Sequence, residues 1–262
     1  MGLPEKLFGE LSQPGTVVGE LSEEIQKEVG YSATVILPAT HDTASAVLAA
    51  PIDRESPYIS SGTWSLLGIE QNEAHTDGES KNANYSNEGS INFNFRYQKN
   101  IMGLWLIQSV KKELGNLSFE TLAQMAKCKE SCGIIDVNDN RFLSPKNMID
   151  EINKALGKSL SSASIMRVIY DSLAKSYADA IAELESNTGK KYKMLNIIGG
   201  GSQDSLLNEM TAKATGKKVI TGPTEATAIG NLIMQMIGVC ELKDLNEARQ
   251  IIKRSFDINE VK

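Results

Sequence analysis

Two short stretches of the chain carry residues whose types and spacing could do chemistry. In the first, Gly199, Gly200 and Gly201 follow the apolar residues 194–198 and precede a helical pattern. Glycine lacks the Cβ that would keep a ligand away from the backbone, and a helix N-terminus offers free N–H groups and positive potential. The arrangement predicts that main chain contacts a nucleotide here, and a plain tight turn is the competing interpretation.

The second stretch centres on Asp42, which stands where an apolar strand pattern ends and a helical pattern begins. A carboxylate in that place could orient a hydroxyl group and accept its proton. The helix N-terminus would help to keep the carboxylate ionised. Asp is also a favoured residue for capping a helix, so the local sequence leaves open both a catalytic base and a structural cap.

Hydrophobic periodicity predicts the scaffold that must position these residues. The predicted strands are 17–21, 34–39, a hairpin over 58–70 with Gly62 at its turn, 92–97, 194–198 and 218–221. The predicted helices are 44–50, 102–114, 117–127 with Ser118 as its cap, 145–156 with Ser144 as its cap, 162–187, 204–215, 224–237 and 244–253. The polar residues 71–89 are predicted to form a surface loop or lid. Alternating strands and helices predict an α/β domain in which helices cover a central sheet.

Composition excludes several classes of function. The 262 residues are 41% apolar and 23% charged, as in ordinary globular proteins. The net charge of −6, without a cluster of Lys and Arg, argues against nucleic-acid binding. No apolar run reaches the roughly 18 residues that a membrane span needs. The odd count of three cysteines predicts a reducing, cytoplasmic location, and Cys128 and Cys132 lack the further ligands of a structural zinc site.

Four separated runs resemble, in the same order, the C-terminal half of the FGGY carbohydrate kinases, and are most similar to its rhamnulokinase branch. The runs are His41-Asp-Thr-Ala-Ser-Ala-Val, Ser60-Ser-Gly-Thr-Trp-Ser-Leu, Lys99-Asn-Ile-Met-Gly-Leu-Trp and Gly222-Pro-Thr-Glu-Ala-Thr. The resemblance covers nearly the whole chain. It implies an RNase H-like (actin-like ATPase) domain with a mixed central sheet flanked by helices. Residues 1–262 would form the single C-terminal nucleotide-binding domain of a two-domain sugar kinase.

The resemblance also implies an activity and a set of site residues. ATP, with Mg²⁺, would phosphorylate a ketose, in the first place L-rhamnulose. Asp42 would be the catalytic base, and His41, Thr43 and Asn100 would contact the sugar together with it. The residues expected to contact ATP are Gly62, Thr63, Gln108, Gly199, Gly200, Gly201 and Asn208. From the residues alone, Asn100 could equally cap the following helix, and Gln108 could be an exposed polar residue of that helix.

One part of the family pattern is missing. Actin-like kinases carry a first phosphate hairpin of the form Asp-x-Gly-x-Ser/Thr, whose acidic residue helps to hold the metal. Asp77-Gly78 is followed by neither the strand nor the hydroxyl of that motif. We therefore expect no metal ligands in this chain, a missing N-terminal domain as its partner, and no activity of the chain alone. The sequence leaves open a homo-oligomer, another FGGY kinase acting on xylulose or ribulose, and a non-catalytic actin-like nucleotide-binding module.

Overall fold

The computed structural model describes residues 2, 4–7, 9–52 and 56–261. Its strands are β1 (Val17–Glu20), β2 (Thr34–Ile36), β3 (Tyr58–Ser61), β4 (Trp64–Gln71), β5 (Tyr85–Gly89), β6 (Phe95–Met102), β7 (Met194–Ile198), β8 (Lys218–Thr221) and β9 (Asn259–Glu260). Its α-helices are α1 (Glu23–Val29), α2 (Asp42–Ala49), α3 (Gly78–Asn82), α4 (Trp105–Glu113), α5 (Phe119–Lys127), α6 (Met148–Leu156), α7 (Ser162–Thr188), α8 (Ser205–Thr215), α9 (Ala226–Gly238) and α10 (Leu245–Ser255).

Seven of the strands form one mixed sheet in the order β5-β6-β4-β3-β7-β8-β9. Strands β3, β4, β6 and β5 pair antiparallel, whereas β7 runs parallel to β3 and β8 runs parallel to β7. The predicted strands at 194–198 and 218–221 are confirmed residue by residue. The predicted hairpin is also confirmed, with Gly62 between β3 and β4. A mixed sheet flanked by helices is therefore the observed architecture, as predicted.

The sheet has a hydrophobic core on each face, because successive strand residues point to opposite sides. Ile59 belongs to the core that packs under α4 to α8, and its neighbour Tyr58 belongs to the core under α2, α9 and α10. Helix α2 lies directly on α9. A Cβ added to Gly230 of α9 would come within 1.7 Å of the carbonyl oxygen of Ser45 in α2. Only glycine at this position lets the two helix backbones approach so closely.

Strands β1 and β2 form a separate two-stranded antiparallel sheet. Helix α1, which joins them, has no buried residue. Several apolar side chains of this segment are more than a third exposed: Val17, Val18, Ile25, Val29, Tyr31 and Val35. An isolated pair of strands is marginally stable in water, so this segment contributes little apolar burial to the fold.

Several predictions about secondary structure were wrong. Residues 71–89 are not a loop, because they contain α3 and the edge strand β5, whose Tyr85 stacks on Tyr97 at 4.6 Å between ring centroids. Phe93 is not part of a half-buried strand, since it lies in a 3₁₀ turn and is 75% exposed. Helix α6 begins at Met148 and not at residue 145, and Asn147, not Ser144, caps it by accepting from the N–H of Asp150.

Candidate active site

The carboxyl ends of the parallel strands β3, β7 and β8 meet at one edge of the sheet, where ligands of open α/β sheets commonly bind. We call this edge the rim, and define it as residues 62–63, 199–204 and 222–227 together with Asp42. The N-terminus of α2 reaches the rim because the hydroxyl of Thr227 donates to the main-chain oxygen of Asp42 at 3.3 Å. The N–H of Gly199 also donates to the carbonyl of Pro223 at 3.1 Å. Two of the four runs that carried the family resemblance are thus in direct contact.

The hairpin between β3 and β4 is fixed to the start of α4. The N–H groups of Leu104 and Trp105 donate to the carbonyls of Gly62 and Thr63 at 3.0 and 3.2 Å. The exposed hydroxyl of Thr63 donates to Oε1 of Gln108 at 3.3 Å. Thr63 and Gln108, which were both predicted to contact ATP and belong to separate elements, therefore lie side by side. Gln108 is not simply a solvated residue of the helix, because it is half-buried and bonded to the hairpin.

The three glycines differ in what they do. Gly199 has φ +82°, and a Cβ there would come within 2.9 Å of the carbonyl oxygen of Ser61. A Cβ on Gly201 would come within 1.9 Å of the Ser61 hydroxyl. Both glycines are therefore required for packing of the turn against β3. At Gly200, by contrast, a Cβ would meet nothing within 4 Å, so its bare backbone faces open space at the rim.

The sequence predicted that the glycines lead directly into an α-helix, and the structure shows that they do not. A 3₁₀ turn, Gly200–Gln203, comes between β7 and α8. The carboxylate of Asp204 caps α8 by accepting from the N–H of Leu207 at 3.0 Å, and it accepts a second hydrogen bond from the Tyr170 hydroxyl at 2.7 Å. Burial raises the pKa of the Asp204 carboxyl. The first turn of α8 is thus capped by this carboxylate, which leaves the 3₁₀ turn as the main-chain surface that a phosphate could meet.

Asn208 lies beneath this turn and not on its surface. Its side chain is only 2% exposed, and its amide nitrogen donates to the carbonyls of Gly201 and Ser202 at 3.3 and 3.0 Å. Its Oδ1 has no hydrogen-bond partner among the described residues. The amide therefore supports the glycine turn from below and keeps one buried acceptor unsatisfied.

The predicted sugar-binding motif contains its own helix cap, which is His41 and not Asp42. Nδ1 of His41 accepts from the N–H of Thr43 at 3.2 Å, and α2 begins at Asp42. The Asp42 side chain is exposed and, within the described residues, makes no hydrogen bond or ion pair. Thr43 is buried, with 6% of its surface exposed. The structural interpretation of Asp42 as the cap is therefore wrong, and its carboxylate remains free for another role.

Asn100 lies in β6, two residues before the last residue of the strand, Met102, and so does not cap α4. Its neighbour Lys99 forms an ion pair with Glu183 of α7, at 2.5 Å between Nζ and Oε2. Because side chains alternate along a strand, Asn100 faces the other side of the sheet, which is the side of α2. It is exposed there, and no hydrogen bond connects it with the residues of the rim in the described part of the chain.

Sequence reasoning missed the hydroxyl groups that join the parts of the rim. The Ser202 hydroxyl donates to the carbonyl of Gly199 at 2.7 Å and lies 3.3 Å from the hydroxyl of Thr224. Thr224 and Thr227 both belong to the run that starts at Gly222, which carried the resemblance without an assigned role. The signal was present as two threonines at the start of the predicted helix 224–237, which follows the predicted strand 218–221.

The rim itself is open. A cleft of about 410 Å³ is lined by Glu70, Gln71 and Arg249 among others, and a cleft of about 840 Å³ runs along α7 and includes Asn100. Neither contains Asp42 or Gly200.

Neither a metal centre nor a membrane span is found in the described ranges. No group of three or more His, Cys, Asp or Glu side chains there could hold a metal ion. Likewise, no helix among these residues has the length and apolar character that crossing a bilayer requires.

Solved structures with a similar fold include a xylulose kinase and a glycerol kinase. The ligand-bound xylulose kinase from Lactobacillus acidophilus matches 99% of this chain and 53% of its own length, with a TM-score of 0.73 and 15% identity. The glycerol kinase of Plasmodium falciparum, solved with ADP, matches 92% of this chain and 49% of its own, with a TM-score of 0.66 and 13% identity. At such identities the likeness establishes the fold alone, which is the predicted actin-like ATPase fold.

Two curated relatives have a higher sequence identity to the chain than these solved structures have. The rhamnulokinase of Oceanobacillus iheyensis is 44% identical over 98% of this chain and 56% of its own length, and that of Bacillus subtilis is 44% identical over 97% and 54%. The chain thus spans about half the length of the curated relatives it matches. Residues 57–239 match the C-terminal domain of the FGGY family of carbohydrate kinases. The chain belongs to this family, as the four runs had indicated.

Proposed function

We propose that the chain is the nucleotide-binding C-terminal lobe of a kinase that transfers the γ-phosphoryl group of ATP to a primary hydroxyl of L-rhamnulose. The products are L-rhamnulose 1-phosphate and ADP. The observation that carries the proposal is the free carboxylate of Asp42 at the same rim as the open backbone of Gly200. The rhamnulokinase relatives support the choice of sugar.

Asp42 is the catalytic base in this proposal. Its carboxylate accepts the proton of the attacking hydroxyl as that oxygen bonds to the γ-phosphorus, and ADP leaves with the electrons of the broken P–O bond. His41 and Thr43 flank Asp42, and Asn100 faces the same side of the sheet. With Nδ1 engaged as an acceptor, a neutral His41 carries its proton on Nε2, which can donate to a sugar oxygen.

The nucleotide is held by main chain and by neutral polar side chains. Gly62 and Thr63 at the hairpin and Gly199, Gly200 and Gly201 at the 3₁₀ turn border the phosphates.

Gln108 bonds to Thr63 and fixes the hydroxyl that faces the nucleotide. Asn208 supports the 3₁₀ turn and offers its unpartnered Oδ1 as the remaining acceptor for the nucleotide or a bound water. An open cradle and an orphaned buried acceptor both fit a nucleotide at this place.

The N-terminal lobe is the required partner. Residues 1–262 form the C-terminal domain in this proposal, and the relatives extend well beyond the part that this chain matches. In this proposal the ligands for Mg²⁺ lie in that other lobe, since no group of three or more His, Cys, Asp or Glu side chains among the described residues could hold a metal ion. Closure of the two lobes would remove water, which competes with the sugar for the phosphoryl group.

A substrate panel tests the proposal. The protein to be measured is the two-lobed enzyme, which means this chain preceded by the N-terminal portion that its rhamnulokinase relatives carry. We expect ADP release that depends on L-rhamnulose, with the phosphate ester at position 1 in the product. Faster turnover of xylulose or ribulose would mean that L-rhamnulose is not the substrate. ATP binding without turnover of any ketose would indicate a non-catalytic nucleotide-binding module.

A further inference from the structure

Helix α2 carries Asp42. Unlike the strands of the hairpin, it is not held by strand pairing, so contacts with other elements must fix its position. Near its N-terminus, Thr227 of α9 donates to the main-chain oxygen of Asp42. In the middle, Gly230 of α9 lies directly against the backbone of Ser45. These contacts place one side of the helix. At its C-terminal end the carbonyl of Val47 accepts from the N–H of Ala50 at 3.1 Å, and the carbonyls of this last turn can accept from further partners outside the helix.

Arg249 of α10 supplies those partners. Its guanidinium donates from Nε to the carbonyl of Leu48 at 3.3 Å and from one terminal nitrogen to the carbonyl of Val47 at 3.0 Å. The residue is only 4% exposed. A cation at the C-terminal end of a helix also interacts favourably with the helix dipole. Arg249 is thus a side-chain cap delivered to α2 from another helix.

The same guanidinium holds a strand. Its terminal nitrogen forms an ion pair with Oε2 of Glu70 at 2.7 Å, and the two side chains are 5% and 9% exposed. Glu70 lies near the end of β4, the strand that begins directly after the phosphate hairpin at Thr63. One buried side chain therefore connects the helix that carries Asp42 with the strand that carries the hairpin.

A buried ion pair is a poor means of stabilising a protein, because removing two charges from water costs about as much as their attraction returns. The directed geometry of Arg249 has a different effect, since it fixes the distance between two elements. We propose that Arg249 and Glu70 are positioning residues that hold α2, and with it Asp42, in a set place relative to the β3–β4 hairpin. The inference rests on the proposed role of Asp42 as the base.

The two elements should respond differently when the pair is broken. The hairpin keeps its strand pairing with β3 and β6 and its two hydrogen bonds to α4. Helix α2 keeps its packing on α9 and the sheet, the hydrogen bond from Thr227 to the main-chain oxygen of Asp42 and the hydrogen bond from Ser45 to the carbonyl of Ala39, but it loses the connection of its C-terminal end with β4 through Arg249. Loss of the pair should therefore displace Asp42 and lower kcat, while the KM for ATP stays close to that of the parent enzyme.

Kinetics of the two-lobed enzyme test this difference with Arg249→Met and Glu70→Gln. A displacement of about 1 Å can cost about 10²-fold in rate, so we expect kcat per folded molecule to fall by about 10- to 10²-fold for Arg249→Met. Glu70→Gln should lower kcat less than Arg249→Met, because the amide oxygen of the glutamine can still accept a hydrogen bond from Arg249. The matched control is Glu185→Gln, which breaks another buried pair, with Lys217, that touches neither α2 nor β4. An unchanged kcat in Arg249→Met, or an equal loss in the control, would overturn the proposal.

Amide hydrogen exchange of the 262-residue chain tests the same point without any catalysis. We expect Arg249→Met to raise exchange at the amides of α2 by at least about tenfold while those of α7 stay as in the parent, and Glu185→Gln to leave α2 unchanged. Unchanged exchange in α2 would refute the positioning role whether or not the protein is a kinase. Faster exchange in α2 together with a parent enzyme that phosphorylates no ketose would leave the positioning of α2 intact and refute the proposed function.

Discussion

Asp42 combines a free carboxylate with few structural duties, because His41 supplies the helix cap. We therefore predict that Asp42→Asn in the two-lobed enzyme lowers kcat by about 10²- to 10⁴-fold, the range for loss of a general base. ATP affinity and melting temperature should change little, since the amide has the same shape and no intramolecular partner is lost. Steady-state kinetics and thermal melting check this. Retention of kcat with a lowered melting temperature would return Asp42 to a structural role.

The glycine turn gives a second prediction at the scale of single residues. Gly200→Val should leave the domain folded, because its Cβ meets nothing within 4 Å, and should abolish nucleotide binding by filling the space that the phosphates need. Gly201→Ala should lower the free energy of unfolding by about 1–3 kcal/mol, a usual cost of overpacking, since its Cβ would come within 1.9 Å of the Ser61 hydroxyl.

Thermal melting of both variants with and without ATP separates the two effects. The matched control is the parent protein, whose melting temperature should rise with ATP. If folded Gly200→Val gained as much stability from ATP as the parent, the nucleotide would bind elsewhere.

At the scale of elements, long helix α7 is tied to the β7–β8 end of the sheet by Glu185, which is 7% exposed and pairs with Lys191 and Lys217. Burial alone would raise the pKa of this carboxyl, but the hydrogen bonds from both lysines and from the N–H of Tyr192 outweigh it and lower the pKa from 4.5 to about 2. A depressed carboxyl pKa stabilises the fold above the unfolded pKa, and this contribution disappears as the pH falls towards the folded pKa.

We therefore predict that Glu185→Gln is less stable than the parent at pH 7, and that the difference shrinks as the pH falls from about 4.5 towards about 2. Urea unfolding of both proteins at pH 7 and at pH 3 measures it. A difference of the same size at both values would mean that the Glu185 charge does not contribute.

The sequence predicted secondary structure well where the apolar pattern was strong, and poorly where packing between elements determined the conformation. Strands β7 and β8 are continuous apolar runs, and their bounds were confirmed. Strand β5 is polar, because it is an edge strand and packs mainly through Tyr85, so its composition suggested a loop. Asp42 and the glycines could be proposed as site residues from residue type and order. The helix cap at His41 and the contacts of Arg249 with α2 and Glu70 could not be predicted, because both depend on distances in the folded chain that no local pattern encodes.

At the scale of the whole molecule, the rim is one open surface that presents Asp42, Thr63 and Gly200 to solvent. Phosphoryl transfer depends almost entirely on positioning and on neutralising charge. In the proposed function the described residues supply the base and the nucleotide cradle, and no group of three or more His, Cys, Asp or Glu side chains among them could hold a metal ion. In the proposed mechanism a second lobe closes over this rim.

We therefore predict that the purified 262-residue chain binds ATP but shows no appreciable phosphorylation of L-rhamnulose. Binding needs only the hairpin and the 3₁₀ turn, whereas transfer also needs the metal and the exclusion of water that closure provides. Calorimetric titration with ATP measures the first property, and a coupled assay for ADP with L-rhamnulose measures the second, with the Gly200→Val chain as the control for binding. Turnover by the chain alone at about 1–100 per second, the usual range of kinases, would show that the rim is a complete active site and that the second lobe is dispensable.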